Sequence, residues 1–474
     1  MRLQLRLPLI NFYRAAIKFI MKPSIPKGTR DFAPEEVIKR NYIFDTIRRT
    51  FIKYGYQPLE TPVMESLSTL TGKYGEEGDK LLFKVLNNGD YLAKADKTAL
   101  EAGDSKKLTS SISKRGLRYD LTVPFARFVV MHQNLIAFPF KRYQIQPVWR
   151  ADRPQKGRYQ EFYQCDVDVV GSNSLMYEAE LVQIYDEVFA ALGMKTIIKI
   201  NNRKVLEGIA EAAGIADQFI DMTVAIDKLD KVGMEGVRKE LSGRGISDTA
   251  IAKIESVLST DSLAPLKAIL KDSETGMKGI AELEAFHRYF DTYKPSNKVA
   301  FDITLARGLS YYTGCIFEVV LDTSVETQKD VKMGSIGGGG RYDDLTGSFG
   351  LKDVSGVGVS FGAARIYDVM TEMDIFPKKF ESVLEVLLIA FDEVTHHYAF
   401  KCLNELRKAG INSDLYPSPA KMKKQMTYAN KRGVPYTILI GSDEMESGKL
   451  TLKNMAQGSQ EKLSMDEIVE RLKN

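Results

Sequence analysis

Residues 148–170 read VWRADRPQKGRYQEFYQCDVDVV, and this stretch decides the fold of the N-terminal part of the chain. β-branched and aromatic residues at its two ends flank a charged middle with a proline and a glycine, which predicts two strands joined by a polar loop. Because side chains alternate between the faces of a strand, Phe162, Gln164, Asp166 and Asp168 share one face of the second strand. The segment therefore predicts a hairpin with one polar face.

The loop of this hairpin concentrates positive charge. Arg150, Arg153, Lys156 and Arg158 fall within nine residues and repel one another unless an anion neutralises them. The flat guanidinium group suits phosphate oxygens, and the nearby Phe162 ring offers a surface on which a base can stack. A loop that binds phosphate and base is one interpretation. A solvated hairpin tip, which a charge run usually is, is the other.

The segments around the hairpin predict an antiparallel sheet. Between residues 80 and 172, short β-rich runs are separated by polar loops. A helical pattern of roughly 10–15 residues does not separate each pair, so an antiparallel sheet is favoured over a doubly wound parallel one. Upstream, a helical stripe follows Pro34 and stops at Gly55, and Pro58 and Pro62 then indicate an edge or interface strand.

The rest of the chain divides into further units. Residues 203–292 form helix after helix, which indicates either an inserted domain or a helical layer of the same domain. We expect one domain from residues 21–202 and 293–375, the insertion at 203–292, a linker around 376–382 and an α/β unit at 383–474. About 90 residues suffice for such a unit to fold alone.

Residues 1–20 are basic and apolar and contain neither Asp nor Glu. A start of this kind is typical of organellar targeting peptides, yet those peptides are usually rich in serine and this segment has none. We therefore expect an upstream extension, with the folded protein beginning near Met21.

Composition argues against several classes of protein. The 474 residues carry a net charge of +4, so a site for a polyanion has to be a local arrangement of charge. The three cysteines form no CxxC pair and the four histidines show no metal-ligand spacing, which argues against a disulfide framework and a metal site. No apolar run approaches the ~20 residues that span a bilayer.

A second unusual segment is TLARGLSYYTG, residues 304–314. It sets Arg307 among small and apolar neighbours, just before Tyr311 and Tyr312. A buried arginine in such surroundings needs an anionic partner. An exposed turn beside core tyrosines is the alternative interpretation.

Two glycine-containing segments follow. SIGGGGRYDDL, residues 335–345, has four successive glycines and predicts a loop that passes close to a ligand or adopts positive φ angles, but it lacks the ending of a P-loop. SGVGVSFGAARIYDVM, residues 355–370, does not have the spacing of a dinucleotide fingerprint. It predicts a strand that runs into a helix, with Arg365 in the first turn.

Taken together and in order, these segments resemble the class II aminoacyl-tRNA synthetases, specifically the histidine enzymes. GYQPLETPVME (55–65) looks like motif 1, which forms the dimer interface in the family, and WRADRPQKGRYQEF (149–162) and GVGVSFGAARI (356–366) resemble motifs 2 and 3. TLARGLSYYTG and GGGGRYDDL (337–345) resemble two stretches peculiar to the histidine enzymes. The resemblance implies an α+β catalytic domain on an antiparallel sheet, a helical insertion and a C-terminal α/β anticodon-binding domain.

The resemblance implies roles for the cationic and aromatic residues. Arg150 would hold the α-phosphate of ATP and the carboxylate of histidine, and Arg158 would contact the outer phosphates. Phe162 and Arg365 would enclose the adenine, and Arg307 stands where the family has its catalytic arginine. Fixed cations stabilise charge on the phosphate oxygens without covalent catalysis, and Mg²⁺ would neutralise the leaving pyrophosphate.

It also implies a pocket for the amino acid. Asp120, Thr122 and Gln164 would bind the amino group of histidine, whereas Asp168 and Tyr312 would bind the imidazole ring. The complete set implied for histidine binding is Asp120, Thr122, Arg150, Gln164, Asp168, Arg307, Tyr311 and Tyr312. Such a pocket rejects amino acids without the ring nitrogens, because its polar groups would remain unpaired.

The implied reaction is ligation of L-histidine to tRNA(His) through a histidyl-adenylate, with release of AMP and pyrophosphate. The implied partners are tRNA(His), histidine, ATP and a second copy of the chain in a cytoplasmic homodimer without a membrane. The C-terminal unit holds a basic cluster that is either a solvated helix face or, given the resemblance, a contact with the anticodon stem: Lys421, Lys423, Lys424, Lys431 and Arg432, beside Tyr428.

Other interpretations remain beside this one. Gln160 lies where many bacterial members are basic, so the reading of the tRNA acceptor end stays open. A non-catalytic paralogue, the regulatory subunit of ATP phosphoribosyltransferase, reuses the same fold, and an RNA-binding module without ligase activity is a third possibility. The paralogues typically lose parts of the histidine signatures and the C-terminal domain, whereas this chain retains Arg307, Tyr311, Tyr312 and a full C-terminal unit.

Overall fold

The computed structural model describes residues 22–73, 75–260, 262–306, 312–343, 345–377 and 383–473. Several sequence predictions fall outside these ranges, namely the extension at 1–20, the roles of Arg307 and Tyr311, and most of the linker at 376–382. Among the described residues, no helix combines the length and the apolar composition that crossing a bilayer requires.

A mixed eight-stranded sheet forms the centre of the part that precedes the linker. The strands of this part are β1 (Gln57–Pro58), β2 (Met64–Ser66), β3 (Lys84–Val85), β4 (Arg115–Leu117), β5 (Phe140–Trp149), β6 (Glu161–Val170), β7 (Thr196–Asn202), β8 (Lys298–Phe301), β9 (Cys315–Leu321), β10 (Gly337–Tyr342) and β11 (Gly356–Phe361). The large sheet has the order β1-β5-β6-β11-β10-β9-β7-β8, and a small sheet has the order β2-β4-β3. The β1–β5 and β7–β8 pairs at the two edges are parallel, and the pairs between them are antiparallel. The predicted antiparallel sheet and the edge strand at Pro58 are confirmed.

Helices cover this sheet and interrupt it once. In chain order they are α1 (Pro34–Lys53), α2 (Leu67–Leu70), α3 (Gly75–Lys80), α4 (Lys97–Glu101), α5 (Ser105–Ile112), α6 (Thr122–His132), α7 (Met176–Ala191), α8 (Arg203–Ala213), α9 (Phe219–Ile226), α10 (Leu229–Gly243), α11 (Asp248–Leu258), α12 (Leu263–Ile269), α13 (Glu274–Phe290) and α14 (Ala363–Glu372). The predicted helical block is thus α8–α13, between β7 and β8. Its α13 packs against α7 and β7, so the block shares a continuous hydrophobic core with the sheet.

The two faces of β6 have different environments, as the alternation of its sequence predicts. Cys165, Val167 and Val169 are buried in the core, where the sheet packs against α1, α7 and α14. The intervening polar residues point to the opposite side of the sheet. One face of the strand therefore contributes to the hydrophobic core, and the other is available for chemistry.

Residues 80–172 contain less strand and more helix than the sequence indicated. The run KLLFKVL contributes the two-residue strand β3 of the small sheet, and the eleven-residue helix α6 separates β4 from β5. Val123, Phe125 and Val129 of α6 are buried, and most of the helix is apolar. A helix covered on more than one side lacks the polar stripe that marks an amphipathic helix, which is why its sequence did not indicate it.

The glycine run is a strand and not the predicted loop. Residues 337–340 lie in β10, between β9 and β11, and none of them has a positive φ. A Cβ atom on Gly339 would lie 2.2 Å from Gly358 O, so the approach of β10 to β11 requires glycine there. Glycines carry no side chains to alternate, and the usual sequence pattern of a strand was therefore missing.

The C-terminal part is an α/β unit with its own sheet. Its elements are β12 (Val386–Ala390), α15 (Glu393–Lys408), β13 (Ser413–Leu415), α16 (Met422–Lys431), β14 (Tyr436–Ile440), α17 (Ser442–Ser447), β15 (Leu450–Asn454), β16 (Gln460–Leu463) and α18 (Met465–Lys473), with the strand order β13-β12-β14-β15-β16. Val386 and Leu388 pack with α15, whereas Leu387 and Ile389 pack with α16. The two helices therefore lie on opposite faces of the sheet, and the predicted α/β unit is confirmed.

Candidate functional site

Two adjoining cavities lie on the polar side of β6. The larger has a volume of about 310 Å³ and the smaller about 160 Å³. Both are lined by Arg150, Gln164, Gly338 and Ser360, which we call the shared wall. A ligand in one cavity is thus in direct reach of a ligand in the other.

The larger cavity brings together the four residues predicted to bind a nucleotide. Arg150, Arg158, Phe162 and Arg365 all line it, although they come from the hairpin and from a helix about 200 residues later in the chain. Three guanidinium groups and a half-buried ring around one space suit a ligand that combines phosphate with a flat base. Arg153 and Lys156 of the same loop do not line either cavity.

The Arg150 side chain is held in place from one side. Its Nε donates a 3.0 Å hydrogen bond to Tyr119 O, and its guanidinium carbon lies 4.2 Å from the centre of the Tyr119 ring and 5.3 Å from that of Phe162. No other hydrogen bond of this guanidinium occurs within the described part of the chain. Its terminal nitrogens are therefore available to an anion in the cavity.

The hairpin loop is docked onto α14, the helix that carries Arg365. Arg365 Nε donates a 2.8 Å hydrogen bond to Gly157 O. Tyr159 donates from its hydroxyl to Asp368 Oδ2 at 2.8 Å, and the Lys156 ammonium pairs with a carboxylate oxygen of Glu372 at 2.7 Å. These contacts run from the first turn of the helix to its last, so the loop and the helix close one side of the larger cavity together.

The smaller cavity gathers the residues predicted to bind an amino acid. Asp120, Thr122, Gln164, Asp168 and Tyr312 line it, together with the shared wall. Asp120 also accepts a 3.1 Å hydrogen bond from the backbone N–H of Val123, which anchors it at the start of α6. The cavity is polar and mostly enclosed by buried side chains.

Burial and crowding perturb the acids of this cavity. Burial raises the pKa of Asp166 to about 7, although the nearby Arg142 guanidinium lowers it. Burial also raises the pKa of Asp168, against the lowering effect of Arg142 and of a hydrogen bond from Tyr342. The pKa of the Tyr312 hydroxyl is raised by burial, so Tyr312 is a proton donor at neutral pH. The cavity combines carboxylates with a protonated hydroxyl.

Sequence reasoning missed several residues of this site. Tyr119 and Ser360 border the cavities without having been singled out, whereas Gly338 belongs to the glycine run that was predicted to pass close to a ligand. Tyr342 joins Asp168 through a 2.7 Å hydrogen bond. The alternation of β6 put Asp166 on the correct face but gave it no role. Strand alternation in the segment after the glycine run could have indicated Ser360, whereas the position of Tyr342 depends on the pairing of distant strands.

The predicted basic cluster of the C-terminal unit lies on and beside α16. Lys423, Lys424 and Lys431 are exposed, while Gln425 and Ala429 of the same helix are buried against the sheet. Arg432 Nη1 donates a 2.7 Å hydrogen bond to the Tyr428 hydroxyl. Within the described ranges, no group of three or more His, Cys, Asp or Glu side chains could hold a metal ion.

Comparison with known proteins agrees with both parts of this architecture. A family model for histidyl-tRNA synthetases matches residues 89–366, and a model for an anticodon-binding domain matches residues 385–474. A histidine–tRNA ligase of Christiangramia forsetii is 58% identical over 459 residues, which cover 95% of this chain and 99% of that protein. A histidine–tRNA ligase of Bacteroides fragilis is 55% identical over 453 residues, which cover 94% and 98% of the two chains.

Solved structures give the same result for the fold. The crystal structure of a histidyl-tRNA synthetase from Nostoc sp. has a TM-score of 0.80 at 30% identity, covering 96% of this chain and 99% of that one. A Bacillus halodurans protein described as an ATP phosphoribosyltransferase regulatory subunit/histidyl-tRNA synthetase has a TM-score of 0.66 at 20% identity, which shows likeness of fold alone. The family model spans more than half of the chain and the near-full-length relatives are 55% and 58% identical, so the chain belongs to the histidyl-tRNA synthetase family of class II aminoacyl-tRNA synthetases.

Proposed function

We propose that this chain activates L-histidine with ATP and transfers it to tRNA(His), releasing AMP and pyrophosphate. One observation carries the proposal: a cavity lined by guanidinium groups and an aromatic ring opens onto a cavity lined by carboxylates, an amide and a tyrosine. Membership of the family supports the same reaction, in which ATP is a substrate and a histidyl-adenylate is the intermediate.

In the larger cavity, the proposed ligand is ATP. Phe162 and Arg365 enclose the adenine, and Arg158, which is half exposed at the mouth, contacts the outer phosphates. Arg150 binds the α-phosphate and the histidine carboxylate. Its place in the shared wall supports this double role, because it lines both cavities at once. Mg²⁺ enters with ATP as part of the substrate and neutralises the leaving pyrophosphate.

In the smaller cavity, the proposed ligand is histidine. Asp120, Thr122 and Gln164 bind its ammonium group, and Asp168 and Tyr312 bind its ring. The buried acids support this assignment, because a carboxylate pairs with an ammonium or with a ring N–H. Tyr312, protonated at neutral pH, donates to a ring nitrogen that carries a lone pair. Tyr311 completes the set by its position in the histidine-specific segment.

The proposed chemistry needs no covalent intermediate with the protein. The histidine carboxylate attacks the α-phosphorus of ATP in line, the bond to the β,γ-pyrophosphate breaks, and pyrophosphate leaves. Arg150 and the catalytic Arg307 stabilise charge on the equatorial oxygens, which is the role of preorganised cations in such transfers. In the second step, the terminal ribose hydroxyl of the tRNA attacks the adenylate and AMP leaves.

We infer that the functional molecule is a cytoplasmic homodimer, joined through the segment at residues 55–65. Resemblance of this segment to motif 1 supports the inference, and so does the exposure of Val63 and Met64 at 38% and 48% of their surfaces. Light scattering tests it: a dimer has twice the 53.2 kDa mass of one chain. A species with the mass of one chain at micromolar concentration would contradict the dimer.

The domain boundaries are also proposals. The catalytic domain is assigned residues 21–202 and 293–375, the insertion 203–292 and the anticodon-binding domain 383–474, with 1–20 as an extension. The positions of α8–α13 between β7 and β8 support the insertion, and the separate hydrophobic clusters of β12–β16 support the last unit. We also propose that the basic cluster on α16 contacts tRNA phosphates, and the exposure of its lysines supports this.

Histidine-dependent exchange of pyrophosphate into ATP tests the proposed function. The purified full chain is assayed with each of the twenty amino acids, and exchange above background is expected with histidine alone. Aminoacylation of tRNA(His) then tests the second step. A regulatory paralogue or an RNA-binding module would show no exchange with any amino acid, which would contradict the proposal.

A further inference from the structure

Arg142 lies next to the smaller cavity and has no role in the proposed chemistry so far. It is fully buried in β5, and the antiparallel register places it directly opposite Asp168 of β6. Arg142 Nη2 is 3.0 Å from Asp168 Oδ2, and the guanidinium carbon is 4.2 Å from the centre of the Phe125 ring. The arginine is therefore fixed between an aromatic ring of α6 and the carboxylate proposed to bind the imidazole.

The hydrogen bonding of Arg142 is incomplete. Its Nη2 donates a long bond of 3.4 Å to Leu121 O, but Nε and Nη1 have no partner within the described part of the chain. Burying a charge costs several kcal/mol, and a well-packed hydrophobic residue is often at least as stable in the place of a buried ion pair. Stability of the fold therefore does not explain an arginine at this position.

The cavity explains it better, because Asp168 is buried there near a second acid, Asp120, and both effects disfavour its charge. Each neighbouring element contributes a charged or titratable side chain: Arg142 from β5, Asp166 from β6, Tyr342 from β10, Tyr312 ahead of β9, Asp120 ahead of α6, Tyr56 ahead of β1 and Arg150 in the shared wall. Burial raises the pKa of Asp168 and the nearby Asp120 raises it further, whereas Arg142 lowers it. Among the residues that the structure describes, Arg142 is the cation that directly contacts Asp168.

Tyr342 completes the arrangement from the other side. Its hydroxyl donates a 2.7 Å hydrogen bond to Asp168 Oδ1, while Arg142 pairs with Oδ2. Oδ1 is thus held by a hydrogen bond, whereas Oδ2 is held by an ion pair and has no hydrogen-bond partner within the described part of the chain. A carboxylate fixed in this way has lone pairs left for one more donor, because each of its oxygens can accept two hydrogen bonds.

We propose that Arg142 is a positioning residue for histidine selection, which fixes Asp168 as an oriented, charged carboxylate that accepts a hydrogen bond from a ring N–H of the substrate. This inference rests on the proposed function and deepens it. A carboxylate is a pure acceptor and pairs with a ring N–H, whereas a protonated carboxyl presents a donor to it. Arg142 acts through Asp168 and does not touch the substrate.

Two substitutions separate the charge of Arg142 from its packing. Arg142→Met keeps an unbranched apolar stem but removes the charge, and Arg142→Lys keeps the charge. The measurement is KM for histidine and for ATP in pyrophosphate exchange between about pH 6.5 and 9, as a ratio to the unsubstituted chain. The ratio cancels the titration of free histidine, whose imidazole has a pKa near 6.5.

For Arg142→Met, loss of the cation raises the pKa of Asp168. KM for histidine should then increase roughly tenfold at pH 7, because a protonated Asp168 is a poorer acceptor for the ring N–H, and return towards the unsubstituted value as pH rises. KM for ATP should change by less than about twofold. Arg142→Lys should keep the original pH profile. Glu161→Gln is the matched control, because it removes a carboxylate from β6, the strand of Asp168, at an exposed position that accepts a hydrogen bond from Trp149.

An unchanged KM for histidine in Arg142→Met would overturn the proposal. An increase in KM for histidine by the same factor at every pH, in both variants, would also overturn it. That result would show that the packing of Arg142 matters and not its charge. If the methionine variant does not fold, Arg142→Gln replaces it, and the same two outcomes decide. Absence of histidine-dependent exchange in the unsubstituted chain would instead contradict the proposed function, so the two failures are distinguishable.

Discussion

Gly358 and Asp168 pair across β11 and β6, and a Cβ atom on Gly358 would lie 2.0 Å from Asp168 Oδ1. The glycine therefore provides the space that the Asp168 carboxylate occupies. Gly358→Ala should displace this carboxylate from Tyr342 and raise KM for histidine roughly 10- to 100-fold, as the loss of a hydrogen bond to a charged group predicts. KM for ATP should change much less. Steady-state exchange kinetics measure both constants.

Gly338→Ala is the matched comparison for this substitution. The atom nearest to a Cβ on Gly338 is Phe317 O at 3.4 Å, an ordinary contact, so the melting temperature should stay unchanged. Since Gly338 belongs to the shared wall, the added methyl group should weaken the binding of both histidine and ATP. A histidine-specific effect of Gly338→Ala, or equal effects of Gly358→Ala on both substrates, would contradict this account of the two glycines.

Arg150→Ala should reduce histidine-dependent exchange by a factor of about 10² to 10³, the usual effect of removing one preorganised donor from a reacting oxyanion. The side chain is held by Tyr119 O and does not carry a structural ion pair in the described ranges, so the melting temperature should change little. Arg153→Ala is the control, because Arg153 is an exposed arginine of the same loop that lines neither cavity. Equal losses in the two variants would show that loop charge in general is responsible.

Arg307→Ala tests the residue proposed to be catalytic. An arginine that acts on the transition state lowers kcat and kcat/KM together, so adenylate formation should fall far more than ATP affinity. Single-turnover formation of histidyl-adenylate measures the first quantity, and equilibrium dialysis with ATP measures the second. Parallel losses in both would identify Arg307 as a ground-state binding residue.

Asp166→Asn should alter the dependence of stability on pH. Burial raises the pKa of Asp166 to about 7 in the folded protein, and an unfolded aspartate has a pKa of about 3.9. The folded state thus binds the proton more tightly, and stability decreases as pH rises from about 4 to about 7. The asparagine variant lacks this loss, so at pH 8 without ligand it should be more stable by up to about 4 kcal/mol, and near pH 4 the two should be equal.

Urea unfolding at several pH values measures this difference, and Asp302→Asn supplies a control of opposite sign. Burial disfavours the Asp302 carboxylate, but hydrogen bonds from Lys199 and Thr304 lower its pKa below the ordinary value. Its contribution to stability is therefore present at neutral pH and disappears on acidification. Asp302→Asn should destabilise the protein at pH 7. Parallel stability curves for the unsubstituted chain and Asp166→Asn would contradict the raised pKa.

Replacing Lys423 and Lys424 together by glutamine should raise KM for tRNA(His) several-fold and weaken its dependence on salt, because phosphate contacts release counterions. Histidine-dependent exchange, which involves no tRNA, should remain unchanged. The control is the replacement of Lys401 and Lys408, exposed lysines of α15 on the opposite face of the same sheet. If both double variants raise KM for tRNA(His) equally, tRNA binding depends on the net charge of the unit and not on a contact with α16.

Local patterns predicted much of the lining of the two cavities. Alternation along β6 placed Gln164 and Asp168 on the face that borders the cavities, and the strand-to-helix change after residue 355 placed Arg365 in a first turn. These predictions depend on neighbours in the chain, where the periods of strand and helix apply directly. The resemblance to a family added the grouping of the arginines from distant segments.

The missed features depend on pairing between distant segments. The glycine run appeared to be a loop because the ladder that makes it a strand is supplied by β9 and β11. Arg142 was not noticed because its significance depends on the register that sets it opposite Asp168. A shift of one residue in that register would point Arg142 away from the carboxylate, and a register depends on the buried faces of both strands and on the turn between them, not on one strand alone.

The shared wall has a consequence for any single molecule that fills both cavities. Two separate ligands each lose translational and rotational freedom on binding, whereas a molecule that joins the two groups loses it once. The joined molecule should therefore bind more tightly than the affinities of its two separate parts suggest. A mixed anhydride of histidine and AMP is such a molecule, and so is a stable mimic in which a sulfamoyl group replaces the phosphate. The protein would keep its reactive intermediate until an acceptor arrives.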